Sequence, residues 1–451
     1  VSERIHFIGV GGSGMSAVAR LIAARGYTVS GTNLAETAYF QALADAGMDV
    51  QLGHDAALVD GAAAVVVSTA VRETNVELAR ARELGIPVWH RSEALVRALE
   101  GQRLVAVAGS HGKTTTSAMV AHALHAAGVD AGFAVGARVF GIEGAVAGGY
   151  AGTAGISVLE ADESDGSFLR YHPEVAILLN IEPDHLDFHG TVENLHRAFA
   201  DFAAQSRTVI ACVDDAVVAG LADRARAAGT RVLTYGSPGS GADAVVGPDT
   251  ISYEGREIPL AVSAPGAHNR LNATAAWLAA VEMGADPEAA AASFARFAGT
   301  GRRYQLRGEA AGVRVIDDYA HHPTEVAALL RAARDGGAGH IVVLFQPALF
   351  TRTQMHAENF GRALSVADAD VVLAPVHGDR EDPIPGVSSA SIAAHAVMPE
   401  GSTLTLAHDL EHAARLAADA ARPGDIVYTV GSGTVTLAAD WILARLAERD
   451  V

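Results

Sequence analysis

One lysine occurs among the 451 residues of this chain. It is Lys113, in Gly109-Ser110-His111-Gly112-Lys113-Thr114-Thr115-Thr116, and every other long cationic side chain is an arginine. A glycine-rich turn followed by Lys-Thr has the parts of a phosphate cradle. Glycines let backbone N–H groups converge on oxygens, an ammonium adds a compact charge, and a threonine hydroxyl can reach Mg²⁺. Val107 takes the place of the first glycine of the usual P-loop, so the spacing is tighter than that pattern. These residues point to an enzyme that uses ATP. An ordinary strand-to-helix turn would need neither the sole lysine nor the threonine run.

A second loop, Gly9-Val10-Gly11-Gly12-Ser13-Gly14-Met15, follows the apolar run His6-Phe7-Ile8 and matches G-x-G-x-x-G. A dehydrogenase would carry Asp or Glu about 20 residues further on to hold a ribose. Here the second strand ends in Gly31-Thr32-Asn33, without a carboxylate. The loop therefore reads as a diphosphate cradle. Dinucleotide binding by an oxidoreductase and a purely structural tight turn are the alternatives.

Both loops need a strand before them and a helix after them. Residues 104–108 read as a buried strand and 117–127 as a helix, with Met119, Val120, Ala123 and Leu124 at helical spacing. Further strands are expected at 28–30, 64–68, 87–90, 155–159, 175–181, 209–213, 313–316, 340–345, 371–374 and 426–430. Short strand-like pieces reach residue 262, and a helix covers 270–283. Strands alternating with helices predict an α/β fold of parallel sheets covered by helices. The length suggests about three domains.

Composition narrows the function. A net charge of −19 with no basic stripe argues against a nucleic-acid surface. The single cysteine, Cys212, excludes an internal disulfide and a Cys-based zinc site, and lies in an apolar run as a small core residue would. No apolar stretch of about 20 residues is present and no signal peptide is visible, so a reducing, cytoplasmic setting is expected.

Four more stretches, taken with the two loops, make the chain resemble the Mur ligases. They are Glu160-Ala161-Asp162-Glu163-Ser164-Asp165, Asn180-Ile181-Glu182-Pro183-Asp184-His185, Gly266-Ala267-His268-Asn269-Arg270-Leu271-Asn272-Ala273, and Asp317-Asp318-Tyr319-Ala320-His321-His322-Pro323-Thr324-Glu325. The likeness runs from His6 to about Gly433, and the opening segment favours the branch that adds L-alanine to UDP-N-acetylmuramate. It implies three domains with Rossmann-like parallel sheets: residues 1–101 for the UDP-substrate, a central P-loop-type ATPase at 102–306, and an amino-acid-binding, closing domain at 307–451. It also implies a reaction in which ATP phosphorylates the muramyl carboxylate and an amine attacks the acyl phosphate.

The resemblance assigns residues as well. Gly9, Gly11, Gly12, Ser13, Gly14, Met15 and Ser68 would meet the UDP-substrate. Gly109, Ser110, His111, Gly112, Lys113, Thr114 and Thr115 would cradle ATP phosphates, with Asn269 near the adenine, Arg303 on a phosphate and Asp317 beside the ribose. Lys113, Glu160 and His185 would be catalytic. Thr114 and Glu160 would hold one Mg²⁺, and Glu160 with His185 a second. His321, His322 and Arg352 would line the amino-acid site, with a helix-start role competing for one of the histidines. Some relatives bridge their metals with a carbamoylated lysine, which a chain with one lysine cannot supply.

The chain departs from the family pattern in places. Phe-Gln-Pro-His-Arg-Tyr-Thr-Arg-Thr becomes Phe345-Gln346-Pro347-Ala348-Leu349-Phe350-Thr351-Arg352-Thr353. Asp-x-Tyr becomes Pro375-Val376-His377, ahead of Asp379-Arg380-Glu381. Gly-Ala-Gly-Asp becomes Gly431-Ser432-Gly433-Thr434, and Ser-Asp becomes Thr32-Asn33. These changes gather around uridine and amino-acid recognition and leave the ATP motifs whole. They admit a second reading, a nucleotide-binding relative with altered amino-acid specificity or lost ligase activity.

Overall fold

The computed structural model describes residues 2–146, 148–336, 340–366, 369–378 and 381–449. Among them the strands form three sheets. The first contains β1 (Arg4–Ile8), β2 (Thr28–Asn33), β3 (Asp49–Leu52), β4 (Ala64–Val67) and β5 (Val88–His90), all parallel, in the order β3-β2-β1-β4-β5. The chain winds outward on both sides of β1, so the loop after β1 opens into the crevice where such sheets take their ligands. Asn33 at the end of β2 and Ser68 just past β4 flank that loop through the pairings Phe7↔Gly31 and Phe7↔Val66.

The second sheet contains β6 (Arg103–Ala108), β7 (Gly132–Ala134), β8 (Gly149–Tyr150), β9 (Ile156–Glu160), β10 (Val175–Leu178), β11 (Thr208–Cys212), β12 (Arg231–Gly236), β13 (Ala244–Val246), β14 (Thr250–Tyr253) and β15 (Arg256–Pro259). Parallel pairing runs from β13 through β12, β11, β10, β6 and β9 to β7. The antiparallel pairs β13-β14, β14-β15 and β7-β8 finish its edges. β6 lies between β10 and β9, and its last four residues are buried. A strand covered on both faces reads as the unbroken apolar run seen in the sequence. Glu254 and Gly255, with φ of 50° and 74°, make the two-residue turn that returns β14 into β15.

The third sheet contains β16 (Gln305–Ala310), β17 (Val313–Asp318), β18 (Ile341–Phe345), β19 (Ala369–Leu373), β20 (Leu404–Leu406) and β21 (Ile426–Val430), in the order β16-β17-β21-β18-β19-β20. All its pairs are parallel except β16-β17.

Residues 1–263 with 270–300 form one compact unit, and 264–269 with 301–451 form a second. In the first unit a continuous buried core runs from Phe7, Val18 and Leu95 to Leu159, Phe168 and Phe199, so the first two sheets share one interior. In the second unit Val326, Leu330, Phe345 and Tyr428 lie in one core cluster, and Val313, Leu344, Ala414 and Ile442 in another. Cys212 is buried as its apolar run suggests, and burial raises its thiol pKa to about 11. No helix among the described residues is long and apolar enough to cross a membrane.

Candidate active site

The loop after β6 is held by the loop after β10. Asn180 accepts from Ser110 N through its carbonyl (2.9 Å) and from His111 N through Oδ1 (2.8 Å), while its Nδ2 donates to the His111 carbonyl (3.0 Å). Ser110 Oγ donates to the Glu182 carbonyl and accepts from Glu182 N. Gly112, at φ 86°, turns the chain into the helix Lys113–Ala126, a left-handed step that a side chain would strain. Lys113 and Thr114 thus occupy the first turn, where the helix dipole favours anions. Asn272 lies close by, since a Cβ on Gly112 would come 3.1 Å from its Oδ1.

Charge around Lys113 is dense. Its ammonium donates to both carboxylate oxygens of Glu163, at 3.1 and 2.9 Å. Burial alone would lower its pKa, but the charges of Glu163, Asp162 and Glu160 raise it, so it stays an ammonium. Thr114 Oγ1 donates to Glu160 Oε1 at 2.8 Å, and Gly136 N donates to Glu160 Oε2 at 2.6 Å. A hydroxyl and a carboxylate oxygen converging at the mouth of a phosphate loop are the hard donors that suit Mg²⁺. His185 has φ 53° and caps the helix Leu186–His189, with Nε2 3.7 Å from Asp184 Oδ2. A non-glycine residue in that region is strained and marks a position imposed by its surroundings.

The loop after β1 is built from neutral partners. The Thr32 carbonyl accepts from Gly9 N and Val10 N, at 2.8 and 2.9 Å. Asn33 Oδ1 accepts from Gly11 N at 3.3 Å, and Thr37 Oγ1 donates to the Gly11 carbonyl at 2.8 Å. Behind them Glu77, fully buried, takes the Thr32 hydroxyl (2.8 Å), Asp55 N (3.1 Å) and the rings of His6 and His54 (3.2 Å each). Burial raises the Glu77 carboxyl, but these hydrogen bonds outweigh it and leave the pKa lowered. The cation at this loop comes from elsewhere. Arg91, which starts the helix Arg91–Ala98, lies over Gly14 so closely that a Cβ there would collide with its Nη1.

The six residues 160–165 face both loops. Glu160 and Glu163 serve Thr114 and Lys113, Asp162 lies 3.9 Å from Arg91, and Asp165 lies 3.6 Å from His90. Sequence reading found Glu160 and missed Arg91, although a cation after the last strand of a Rossmann-like sheet was a usable signal.

The remaining expected residues, Asn269, Arg303, Asp317, His321, His322 and Arg352, belong to the second unit. Asp317 is fully buried, and its oxygens accept from Thr429 Oγ1 and Thr436 Oγ1 (2.7 Å each) with Arg302 Nε at 3.3 Å. That carboxylate, expected beside a ribose, is engaged here with partners inside its own domain. Its neighbour Asp318 accepts from Tyr304 N and Ala320 N, and burial, opposed by Arg303, lifts its pKa to about 6. Arg303 stacks over Tyr319, 5.0 Å from the ring centre, with Glu325 at 3.9 Å.

The paired histidines divide their duties. His322 is the N-cap of the helix Pro323–Asp335, in a capping box with Glu325, so the helix-start role falls to it. The His321 ring lies 3.0 Å from the Tyr319 carbonyl and 3.2 Å from Glu325, and burial, aided by Arg352 and Arg303, lowers its pKa to about 4. Arg352 lies in the first turn of the helix Phe350–Leu364, whose N-cap Leu349 has φ 68°. Asn269 Nδ2 donates to the Pro265 carbonyl at 2.7 Å. Arg302 grips the carbonyls of Gly431, Ser432 and Gly433. Asp379 and Arg380 lie outside the described residues.

Comparison with known proteins identifies the family. Models described as the Mur ligase family catalytic domain, the Mur ligase middle domain and the Mur ligase glutamate ligase domain match residues 4–103, 107–280 and 302–433. A UDP-N-acetylmuramate–L-alanine ligase of Kineococcus radiotolerans is 48% identical, over 99% of this chain and 97% of the relative. A protein of the same name from Paenarthrobacter aurescens is 46% identical, over 96% and 95%. The crystal structure of a UDP-N-acetylmuramate-alanine ligase from Thermotoga maritima superposes with a TM-score of 0.79 at 26% identity, covering 99% of each chain.

Proposed function

The chain belongs to the Mur ligase family, and on that premise we propose that it uses ATP to join L-alanine to the carboxylate of UDP-N-acetylmuramate. It is an ATP-dependent, amide-bond-forming ligase of peptidoglycan precursor synthesis. The observation that carries this reading is near-complete alignment, at 44–48% identity, with relatives named for that reaction.

The residues divide the work in a chemically sensible way. A carboxylate attacking a phosphoryl group brings anions together, so positive charge must be ready at the transferring oxygens. Lys113 supplies a permanent ammonium there, and the loop N–H groups and helix dipole add to it. Thr114 and Glu160 would hold Mg²⁺, with His185 as the family's ligand to a second ion; bound Mg²⁺ neutralises phosphate oxygens. Phosphoryl transfer gives an acyl phosphate, and the alanine amine then displaces phosphate. That amine must be unprotonated to attack and gives up one proton, to water or the departing phosphate, as the amide forms; His321, held neutral at working pH, adds no charge beside it. Arg352 takes the alanine carboxylate, Arg303 an ATP phosphate and Asn269 the adenine edge. Asp318 replaces Asp317 as the acid for the ribose.

The loop after β1 cradles the diphosphate of the UDP-substrate, with Arg91 as its cation and Ser68 at its flank. A domain boundary near residue 101 would lie between β5 and β6, whereas one at 306 would cut β16, so the third domain would begin a few residues earlier. Asn33 is committed to Gly11 N and to the Ala35 carbonyl, which disfavours a dinucleotide ribose at that position. Ala348 and Leu349, in place of His and Arg, favour a second reading in which glycine or L-serine competes with L-alanine.

The test is phosphate release with ATP, Mg²⁺ and UDP-N-acetylmuramate, adding each amino acid in turn. Release should depend on L-alanine. Release with another amino acid alone would move the specificity, and none with any would leave a nucleotide-binding relative without ligase activity.

A further inference from the structure

The ammonium of Lys113 has more acceptors than it has N–H bonds. Besides the two oxygens of Glu163 it donates to the carbonyls of Gly109 (2.6 Å) and Ser110 (3.3 Å). Three donors therefore serve four acceptors. The side chains of Lys113 and Glu163 are 13% and 2% exposed, so water is a poor substitute for either partner. The main chain of Glu163 is itself fixed, because its carbonyl accepts from His189 Nε2 at 2.9 Å and from Gly166 N at 3.1 Å. Its companions in residues 160–165 face other groups: Glu160 takes Thr114 and Gly136, Asp162 faces Arg91 and Asp165 faces His90. Glu163 is the acid of that stretch whose carboxylate is given to the lysine.

A phosphate oxygen that takes an N–H of Lys113 must displace an acceptor already there. The two carbonyls belong to the loop and cannot leave. The Glu163 carboxylate is on a side chain and can turn.

We propose that Glu163 is a positioning residue of the nucleotide site, an exchangeable counter-ion that holds Lys113 over the loop and competes with phosphate for it. This rests on the ATP-using reading given above. When phosphate arrives, one N–H passes from Glu163 to a phosphate oxygen; when product leaves, it returns. The buried ammonium is never without an anionic partner, and nucleotide is held less tightly than Lys113 alone would hold it. The direction separates this role from a structural one. Losing a structural carboxylate weakens ligand binding, whereas losing a competitor strengthens it.

The experiment is calorimetric titration of the full chain with ADP, for wild type, Glu163→Gln and Glu163→Asp, with steady-state kinetics in ATP. Glu163→Gln removes the charge at nearly constant shape and should tighten ADP by about tenfold, the scale of one charged hydrogen bond. The KM for ATP should fall, and kcat should fall with slower release of ADP. Glu163→Asp keeps the charge but withdraws it by one methylene, and should tighten ADP by about two- to threefold. It carries the test if the glutamine variant does not fold. Unchanged or weaker ADP binding in a folded variant, with wild type binding ADP normally, would overturn the counter-ion role alone. Failure of wild type to bind ADP would overturn the ATP reading and this proposal with it.

Discussion

The two glycine-rich loops of the first compact unit follow the same plan and treat charge differently. Each leaves a buried parallel strand, β1 or β6, and enters a helix, Ser13–Ala24 or Lys113–Ala126. Around the first loop the holding groups are neutral, Asn33, Thr37 and the Thr32 carbonyl, and its cation is Arg91 from a separate helix. The second loop carries its own lysine, paired with the buried Glu163, and a threonine hydrogen-bonded to the half-buried Glu160. The difference matches the role proposed for each loop. A diphosphate that is only held needs converging N–H groups and modest positive charge. A phosphoryl group that is transferred needs charge placed where it develops in the transition state, with little reorganisation.

The strongest way to break this contrast is Lys113→Ala. If the second loop acts on the transferring group, turnover should fall at least a hundredfold, about 2.7 kcal/mol or more in barrier, with UDP-N-acetylmuramate binding nearly unchanged. Lys113→Arg should rescue poorly, because a planar fork does not fill the place of a compact ammonium. A variant keeping more than about a tenth of the turnover would erase the distinction between the loops.

Arg91→Ala tests the other side. Losing one charged contact is worth about 1.5–3 kcal/mol, so the KM for UDP-N-acetylmuramate should rise about tenfold or more while that for ATP barely moves. Equal losses for both substrates would instead show that Arg91, through Asp162, ties the loops together.

The smallest effect is expected in the second unit, which has neither loop. His321 is held at about 4, below its ordinary 6.5, so between those values the unfolded chain takes up a proton that the folded chain refuses. Its share of stability is present above about 6.5 and is lost as pH falls toward 4. Asp318, raised from 3.8 to about 6, has the opposite sign and favours the folded state as pH falls through that window. His321→Gln should therefore flatten or reverse the acid loss of stability, by about 1 kcal/mol of unfolding free energy from urea titrations between pH 7 and 5. An unchanged slope would mean that the imidazole is solvated and takes its proton freely.

Sequence by itself determined the α/β class, most parallel strands and both loops, because each rests on local pattern. An unbroken apolar run such as 104–108 has one comfortable place, a strand covered on both faces, and Gly-Lys-Thr after it can only open a helix. Residues 426–430 were legible end to end for the same reason. The strands Asp49–Leu52 and Gly132–Ala134 were not: the first is largely exposed and the second has three residues, so neither carries a periodic signal. Tertiary structure decided the choices that depend on partners distant in sequence. It turned Asp317 inward onto Thr429 and Thr436 and left Asp318 beside Arg303, a difference of one residue that strand alternation magnifies into opposite faces. It made His322 a cap and gave His321 the depressed pKa. It also brought Arg91 to Gly14 and Glu163 to Lys113, contacts across 77 and 50 positions of chain that no local spacing encodes, because charge pairing is settled by where the strand ends meet.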